Sequence, residues 1–377
     1  MPGDVKRAMQ LVIERNPLLR ALSHIQSVVE RRNTIPILSN VELVADGETL
    51  RLTATDLDIA LVEEVPANVA AAGGTTVPAH TLHDIIRKFP DGAELDLALQ
   101  DGRLTLRAGG ARFQLATLPR DDFPQLAADD LPHRFSLGAD VLKKLIDKTR
   151  FAISTEETRY YLNGIYLHVA EGADGRLKAV ATDGHRLARV ETALPEGAAG
   201  MPGVIVPRKT VAELRKLVEE YDGTIAVSLS DTRIRFAFDS AVLTSKLIDG
   251  TFPDYERVIP TANDKILRVD AKLLAEAVDR VSTISSEKTR SVKLTLEAER
   301  IVLSVTSPEH GTATEELSAV YEGAPLEIGF NARYLLDILA QIEGAEAEIR
   351  LMDATSPTII VDPEDESALY VLMPMRV

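Results

Sequence analysis

Asp183 and His185 stand two positions apart in the run Thr-Asp-Gly-His, the spacing in this sequence that most suggests acid–base chemistry. Hydrolases use an acid and a histidine to activate a serine nucleophile. The motifs that usually accompany such a pair are missing, because the chain has neither a Gly-x-Ser-x-Gly turn nor a His-Glu-x-x-His helix. A hydrolase that uses Asp183 and His185 is therefore kept as the alternative interpretation.

Metal and nucleotide chemistry find little support in the sequence. The absence of cysteine removes disulfides, thiolate metal sites and a cysteine nucleophile. Among the other histidines only His80 and His83 are close together, before or within a basic helical segment. That position is more typical of a solvated helix face than of a metal site. Because no glycine-rich phosphate loop follows a strand, the sequence predicts no cofactor and no nucleotide hydrolysis.

The composition is that of a globular protein with more than one domain. Its 377 residues exceed what a single hydrophobic core usually supports, which predicts two or three domains. The sequence shows no long apolar run and no signal peptide, so we expect a cytoplasmic protein. Residues 1–8 are interpreted as a short polar extension whose role the sequence does not reveal.

Three features recur in the same order along the chain, at a domain-sized spacing. The first is a helix-like segment that leads through an arginine-containing turn to an alternating strand; its copies begin near Pro17, Val141 and Leu273. The second is a strand that ends in a small turn, at Asp56, Asp183 and Ser307. The third is another helix that stops at an acidic residue and a glycine, at Gly92, Gly223 and Gly344. These repeats predict three copies of one domain.

Each copy combines helices with strands of period two. Segments such as Arg103–Arg107 and Glu348–Leu351 alternate apolar and polar residues, as strands with one buried face do. The glycine after each second helix predicts a left-handed helix cap. The predicted fold class is α+β, with three tandem copies of a domain in which two helices pack on antiparallel sheets. We place the domains at residues 1–128, 129–262 and 263–377.

Positive charge is concentrated on the predicted helices, although the chain as a whole carries −16. The helical segments and their leading turns together carry +6, which leaves −22 for the rest of the chain. Such helices could face a polyanion, although amphipathic surface helices often hold lysine and arginine for other reasons. The charge is too modest to hold DNA tightly, because single phosphate contacts are screened beyond roughly 8–10 Å. It could centre a duplex that is held by topology. Two chains would supply about twelve helices, which enclose a bore of roughly 28 Å.

Five longer motifs carry a resemblance to a known family. They are Asn33–Asn40, Arg159–Gly164, Ala181–Leu187, Phe252–Tyr255 and Met373–Arg376. Together they resemble the beta sliding clamps of bacterial DNA polymerase III, over a region from about Met9 to Val377. The resemblance implies a DNA polymerase processivity factor that encircles duplex DNA and is not an enzyme. It also implies a homodimer of DNA-clamp domains, closed head to tail into a ring whose helices line the bore.

The same resemblance implies the contacts that this ring would make. Strands of domains 1 and 3 would join the two chains, with Phe113, Leu115 and Ile284 at the interface. The implied partners are duplex DNA, bound without sequence preference, the catalytic subunit of the replicative polymerase and a clamp loader. Other polymerases and repair proteins would bind through short peptides. No membrane contact is implied.

A peptide-binding pocket on domains 2 and 3 is a further implication of the resemblance. Its residues would be Leu162, Thr182, Gly184, His185, Arg186, Leu187, Pro253, Arg257, Val258, Asn331, Tyr334, Thr355, Pro357, Val371, Leu372, Met373, Pro374, Met375 and Arg376. Methionines and leucines beside proline and glycine form an adaptable apolar surface, suited to a short segment that ends in hydrophobic side chains. From the residues alone, Val371–Met375 could instead be an edge strand of the core. Thr289 replaces an aromatic residue that some relatives have at the rim, which would leave that side more open.

For DNA, the resemblance implies a set of basic and aromatic contacts. They are Arg32, Arg87, Arg159, Tyr160, Tyr161, Arg208 and Lys209, with Lys246 and Arg290 as additions. The cations would contact phosphates without distinguishing bases, and the tyrosines could lie against the backbone or an exposed base. Glu156 and Glu157 stand just before Arg159 and argue against direct DNA contact by that loop.

Overall fold

The computed structural model describes residues 8–127, 129–170, 172, 175–286 and 290–377. Within these ranges the α-helices are α1 (Arg15–Val28), α2 (Ala79–Ile86), α3 (Ala139–Asp147), α4 (Arg208–Glu219), α5 (Ala271–Ser282) and α6 (Ala332–Leu339). Two of them fall in each repeat copy, so the predicted succession of helices is confirmed. In the part of the chain that the structure describes, no helix has the length and apolar character needed to cross a membrane.

Strands make up most of the remaining regular structure. In chain order they are β1 (Met9–Glu14), β2 (Asn40–Asp46), β3 (Thr49–Thr55), β4 (Ile59–Pro66), β5 (Asn68–Ala71), β6 (Gly73–Pro78), β7 (Glu94–Gln100), β8 (Arg103–Ala108), β9 (Ala111–Ala116), β10 (His133–Gly138), β11 (Gly164–Val169), β12 (Arg176–Thr182), β13 (Arg186–Ala193), β14 (Val204–Pro207), β15 (Thr224–Leu229), β16 (Arg233–Ala237), β17 (Ala241–Lys246), β18 (Lys265–Asp270), β19 (Ser291–Glu297), β20 (Arg300–Ser307), β21 (Gly311–Ser318), β22 (Val320–Glu322), β23 (Leu326–Asn331), β24 (Glu346–Leu351), β25 (Thr358–Asp362) and β26 (Asp365–Leu372).

Residue spacing decides which side chains enter the core. In α1, Leu18, Leu22 and Ile25 recur at helical spacing and are fully buried. In β1, burial alternates along the strand, so Met9 and Ile13 face the core. Burying a side chain of this size stabilises the fold by about 1.5–3 kcal/mol. The predicted combination of amphipathic helices and half-buried strands is therefore present.

The chain divides into two compact units, and the described residues of unit 1 fall in Met1–Lys143, Pro195–Ala198 and Lys209–Leu247. Unit 1 contains a five-stranded sheet in the order β5-β1-β7-β8-β9 and an eight-stranded sheet in the order β10-β15-β16-β17-β4-β3-β2-β6. In the larger sheet β17, from the second repeat copy, pairs antiparallel with β4 from the first, and Val242 lies opposite Val62. This sheet therefore joins two repeat copies by main-chain hydrogen bonds.

Unit 2 falls in Lys144–Leu194, Ala199–Arg208 and Ile248–Val377. Its sheets have the orders β14-β11-β12-β13-β26-β25-β24-β18-β22 and β21-β20-β19-β23. Here β26, from the third copy, pairs antiparallel with β13 from the second. Each large sheet thus contains strands of two copies, which explains why the compact units do not coincide with the three repeats.

The glycines after the second helices do not all act as predicted. Gly92 has φ +73°, but Gly223 and Gly344 are not in the left-handed region, and α2 ends at Ile86, well before Gly92. At the third position the Asp362 carboxylate accepts the backbone N–H groups of Glu343 (3.0 Å) and Gly344 (2.9 Å). A distant carboxylate therefore binds these backbone groups, and the prediction of three left-handed caps is wrong.

The interpretation of His80 and His83 as a solvated face is also wrong. Both side chains are half-buried against α1. His80 Nδ1 lies 2.9 Å from the Gln26 side-chain oxygen and Nε2 lies 3.0 Å from the Val29 carbonyl. His83 Nε2 lies 3.3 Å from the Ser23 hydroxyl. These histidines connect α2 to α1 by hydrogen bonds.

A buried ion pair in unit 1 joins α1 to β4. His24 Nδ1 lies 2.7 Å from Glu63 Oε1, with the side chains 15 % and 8 % exposed. Burial lowers the pKa of His24, but the hydrogen bond to Glu63 and the negative charges of Glu63, Glu220 and Glu213 outweigh burial, so its pKa is raised. Burial also raises the pKa of Glu63. The pair therefore holds protons to a higher pH in the folded state than in the unfolded chain.

This pair should make unit 1 less stable as the pH rises. A raised pKa stabilises the folded state fully below the unfolded value, about 6.5 for histidine, and the contribution is lost above the folded value. Burial lowers the pKa of His83 and of His168, so the contribution of these two histidines to stability increases as the pH rises. To isolate the contribution of His24, wild type is compared with the variant His24→Gln. Between pH ~6 and ~8 the urea midpoint of wild type should fall more than that of the variant. Equal falls would contradict the assignment.

Candidate functional site

The turn between β12 and β13, in unit 2, is held by its own polar side chains. The Thr182 hydroxyl donates to the carbonyl of Arg186 at 2.7 Å. The Asp183 carboxylate accepts the backbone N–H groups of His185 (2.9 Å) and Arg186 (3.1 Å). The His185 ring stacks on Tyr334, with centroids 6.0 Å apart. Asp183 therefore shapes the turn, and the structure gives no support to an acid–histidine pair for hydrolysis.

Gly184 is required at the tip of this turn. Its φ of +89° is a conformation that glycine adopts without strain. A Cβ atom at this position would lie 2.6 Å from a guanidinium nitrogen of Arg159. Arg159 is in turn paired with Glu156 at 2.8 Å. The predicted pocket residue Gly184 and the predicted DNA contact Arg159 are therefore neighbours.

Arg186 is a nearly buried anchor beneath the turn. Its guanidinium group donates to Asp183 (3.2 Å), to Asp337 (2.5 Å) and to the carbonyl of Phe151 (2.9 Å). It also lies over the Tyr334 ring, 4.3 Å from the centroid. Only 10 % of its side chain is exposed. Arg186 therefore positions the turn and Tyr334, and little of its charge faces solvent.

An apolar floor lies beside the turn. Its buried members are Leu162, Val180, Leu187, Ile205, Phe252, Tyr255 and Val371, with Tyr161, Tyr166, Ile248, Ile259 and Leu369 packed against them. Three of the predicted pocket residues, Leu162, Leu187 and Val371, are therefore brought together in one cluster. Because each is at most 3 % exposed, they support the surface from below.

The segment Met373–Arg376, called the rim, follows directly after Val371 of this floor and Leu372. Met373 donates its backbone N–H to the carbonyl of His185 (2.9 Å), and Met375 donates to the carbonyl of Gly329 (2.8 Å). Both side chains are 38 % exposed, whereas Leu372 is buried. Since β26 lies between β13 and β25, the edge-strand interpretation of Val371–Met375 is wrong. The strand is interior, and the methionines beyond it reach the surface.

The remaining predicted pocket residues lie around these features. Asn331 accepts the Tyr334 N–H at 3.1 Å and caps α6. Thr355 donates to Asp353, and its backbone N–H together with the N–H of Ser356 lowers the pKa of that carboxyl to about 2. Five more are wholly or partly exposed, namely Pro253, Arg257, Val258, Pro374 and Arg376. Pro357 accepts from the Asn263 side chain at 3.0 Å. Thr289 lies outside the described residues.

Lys209, a predicted DNA contact in unit 1, is already engaged by carboxylates. Its ammonium group lies 2.5 Å from both Glu30 and Asp56 and donates to the Val28 carbonyl at 3.2 Å. Burial lowers the pKa of Lys209, but the hydrogen bonds to Asp56 and Glu30 outweigh burial and raise it. Lys209 therefore remains charged and fastens the turn after β3 to the end of α1.

The other predicted DNA contacts differ in whether their side chains form ion pairs or are exposed to solvent. Arg87 pairs with Asp84 at 3.2 Å, and Lys246 pairs with Asp58 at 3.1 Å. Three arginines are exposed, namely Arg32, Arg208 and Arg290. Tyr160 is 52 % exposed and meets half-buried Tyr161 edge to face, with ring centroids 5.7 Å apart. Among the described residues, no group of three or more histidine or carboxylate side chains is arranged to hold a metal ion.

Comparison with known proteins agrees with this geometry. Residues 9–127, 136–254 and 256–376 match the N-terminal, central and C-terminal domains of the DNA polymerase III beta subunit. The chain belongs to the beta sliding clamp family. It is 57% identical to the beta sliding clamp of Caulobacter vibrioides and 41% identical to that of Escherichia coli K12, in each case over 98% of this chain and 100% of the relative.

Solved structures of clamps have the same fold. A sliding clamp from Bartonella birtlesii, bound to griselimycin, is 50% identical and superimposes with a TM-score of 0.96 over 98% of this chain and 100% of that chain. The beta sliding clamp of Caulobacter crescentus gives a TM-score of 0.95 at 57% identity over 98% of this chain and 99% of that chain. The predicted α+β fold of three clamp domains is confirmed.

Sequence inspection of this clamp missed the residues that hold its site in place. Asp337 and Phe151 bind Arg186, and Tyr255 and Ile248 help to form the apolar floor. The partners of Arg186 carry no local signal because they are 151 and 35 positions away. One signal was available for Asp183: Asp56, in the equivalent turn of the first copy, accepts from Asp58 and Ile59 in the same way.

Proposed function

We propose that this protein is a DNA polymerase processivity factor that closes, as a head-to-tail homodimer, into a ring around duplex DNA. In this role it tethers the replicative polymerase and catalyses no reaction. It acts in the cytoplasm, on DNA of any sequence, and carries three domains close to residues 1–128, 129–262 and 263–377. The observation that supports this proposal is that strands of adjacent repeat copies pair in the same way at two places within the chain. We call each of these strand pairings a joint.

The joint has the same construction in both units. In unit 1, β17 pairs with β4, and Lys246 donates its N–H to the carbonyl of Asp58 in the turn before β4. In unit 2, β26 pairs with β13, and Met373 donates its N–H to the carbonyl of His185 in the turn before β13. Each joint therefore unites the last strand of one copy with the corresponding strand of the copy before it.

The third joint would form between two chains. The last strand of the first copy is β9, and the strand of the third copy equivalent to β4 and β13 is β21. Both stand at the ends of their sheets as the structure describes them. Exposed strand edges of this kind invite pairing with another chain. Because one chain offers both edges, a second copy can complete both joints and close the ring.

Side chains at these edges fit such a joint. If β9 pairs as β17 does, Phe113 takes the place of Leu243 and stands opposite Ala313 of the partner subunit, which takes the place of Leu61. The Phe113 side chain is 37 % exposed. Leu115, within β9, and Ile284, two residues after the end of α5, are half-buried. An apolar patch of this kind is typical of the core of a specific interface.

A ring explains the unusual electrostatics of a DNA-binding protein with net charge −16. Four of the predicted cationic contacts are paired with carboxylates, so their attraction for phosphate is reduced. They are Lys209, Arg159, Arg87 and Lys246. Weak attraction allows the ring to slide along DNA, while its closure prevents loss. The exposed arginines and Tyr160 would guide the duplex without reading bases.

The apolar floor, the Asp183 turn and the Met373–Arg376 rim would hold partner peptides. The exposed methionines provide adaptable contacts, and the fixed turn provides main-chain and aromatic ones. The expected occupants are segments of the replicative polymerase catalytic subunit, the clamp loader, and other polymerases or repair proteins. Competition for a single pocket would allow these partners to exchange.

Primer extension tests this function. On a singly primed circular template, the protein should lengthen the products of the replicative polymerase at least about tenfold when a clamp loader and ATP are present. The products should stay short without the loader, because a closed ring cannot thread onto a circle. Equal stimulation with and without the loader would contradict the proposal.

A further inference from the structure

The methionines of this protein differ sharply in exposure. Met9 and Met201 are buried, at 0 % and 7 %, whereas Met352 is 43 % exposed and both Met373 and Met375 are 38 % exposed. The chain contains no cysteine. Peroxides therefore find their most reactive side-chain sulfur atoms in exposed thioethers. Two of these thioethers lie in the peptide pocket.

Met373 and Met375 project from a fixed backbone. The Met373 N–H donates to the carbonyl of His185, in the turn before β13, and the Met375 N–H donates to the carbonyl of Gly329, in β23. Only Pro374 separates the two methionines in sequence. A Cβ atom at Gly329 would come within 2.3 Å of the Val377 side chain, so the chain end is packed closely against that glycine. The backbone of both methionines is therefore fixed, and the two thioethers stay tethered to this part of the surface.

We propose that Met373 and Met375 form an oxidation-sensitive switch, in which a peroxide converts their thioethers to sulfoxides and releases the bound hydrophobic peptide. This inference rests on the pocket assigned in the proposed function. In the reaction a sulfur lone pair attacks a peroxide oxygen, the O–O bond breaks, and hydrogen peroxide is reduced to water. Each sulfur gains one oxygen and loses two electrons.

The sulfoxide changes the surface that a peptide meets. It replaces a flexible apolar group by a polar one with a strong hydrogen-bond acceptor. The supporting residues nearby, Val371 and Leu372, are apolar and buried. A peptide that covers the sulfoxide would strip it of water without supplying a donor, which is unfavourable. We expect the Kd of a hydrophobic peptide to rise about tenfold or more.

The test uses the full chain and a fluorescein-labelled peptide from the polymerase catalytic subunit whose last residues are hydrophobic. Peptide mass spectrometry measures sulfoxide at each methionine after graded hydrogen peroxide, and fluorescence anisotropy measures the Kd before and after treatment. Methionine sulfoxide reductase should restore the original Kd. Three proteins are compared: wild type, the double variant Met373→Leu/Met375→Leu, and the control Met352→Leu.

Wild type and Met352→Leu should each lose affinity about tenfold as sulfoxide accumulates at positions 373 and 375. In the double variant, whatever its starting Kd, the ratio before and after peroxide should stay close to one. The proposal is overturned if wild type keeps its affinity when both methionines are oxidised, if they resist oxidation, or if the double variant loses as much affinity. Failure of untreated wild type to bind the peptide would overturn the pocket itself, and the switch with it.

Discussion

Removal of Met373–Val377 is expected to abolish stimulation of the replicative polymerase while leaving the dimer intact. The deletion takes away the rim of the pocket and the backbone contacts that Met373 and Met375 make with His185 and Gly329. The proposed dimer edges, β9 and β21, lie elsewhere in the chain. Product length in the primer-extension assay should fall to the level without clamp, and sedimentation should still give the mass of two chains.

A point variant outside the predicted pocket is the control for this deletion. Met352→Ala removes another exposed methionine, outside the predicted pocket, and should leave stimulation within about twofold of wild type. A truncated protein that stimulates the polymerase as well as wild type would refute the pocket assignment. So would a truncated protein that stays dimeric and binds the polymerase subunit with unchanged Kd.

Phe113→Asp should convert the dimer to a monomer and remove processivity with it. Phe113 is 37 % exposed on the edge strand β9, where it meets Phe89 edge to face with centroids 6.1 Å apart. An aspartate buried in an interface is a desolvated charge without a partner, which is unfavourable. Aromatic residues near the centre of an interface also contribute much of the binding free energy. We expect the dimer Kd to rise by about 100-fold or more, measured by analytical ultracentrifugation.

Leu126→Asp is the matched control for this substitution. Leu126 is 46 % exposed in a segment that belongs to none of the strands, so the same change there should leave the dimer Kd unaltered. Circular dichroism should show that both variants fold. A folded Phe113→Asp protein that remains dimeric at wild-type Kd would contradict the proposed third joint.

The sequence was sufficient for those features that depend on local pattern or on repetition. The helix-like segment that begins near Pro17 is found as α1, and the recurrence of three features in the same order predicted three copies. The resemblance supplied pocket residues such as Leu162 and Val371, which the fold does bring into one cluster. The helices and the three copies were predictable because they depend on residues that are neighbours in sequence or are repeated, whereas the pocket assignment came from the resemblance and stays a prediction.

Predictions failed where a distant partner decided the local structure. The acidic-glycine stop at Gly344 suggested a left-handed cap, but Asp362, from a later strand, binds those backbone groups instead. Sequence inspection also missed Glu30 and Asp56, which lie 179 and 153 positions from Lys209 and pair with its ammonium group; the DNA contact of Lys209 stays a prediction. Side chains that are far apart in sequence give no periodic signal, so only the fold reveals such pairs.

Retention on DNA of defined topology is the most direct test of the encircling ring. The protein is loaded onto nicked circular plasmid with a clamp loader and ATP, free protein is removed by gel filtration, and the plasmid is then cut once with a restriction enzyme. A ring should co-elute with the intact circle, leave after the cut, and remain if bulky proteins block both ends. Retention on linear DNA with free ends, or loss from the uncut circle at moderate salt, would contradict encirclement.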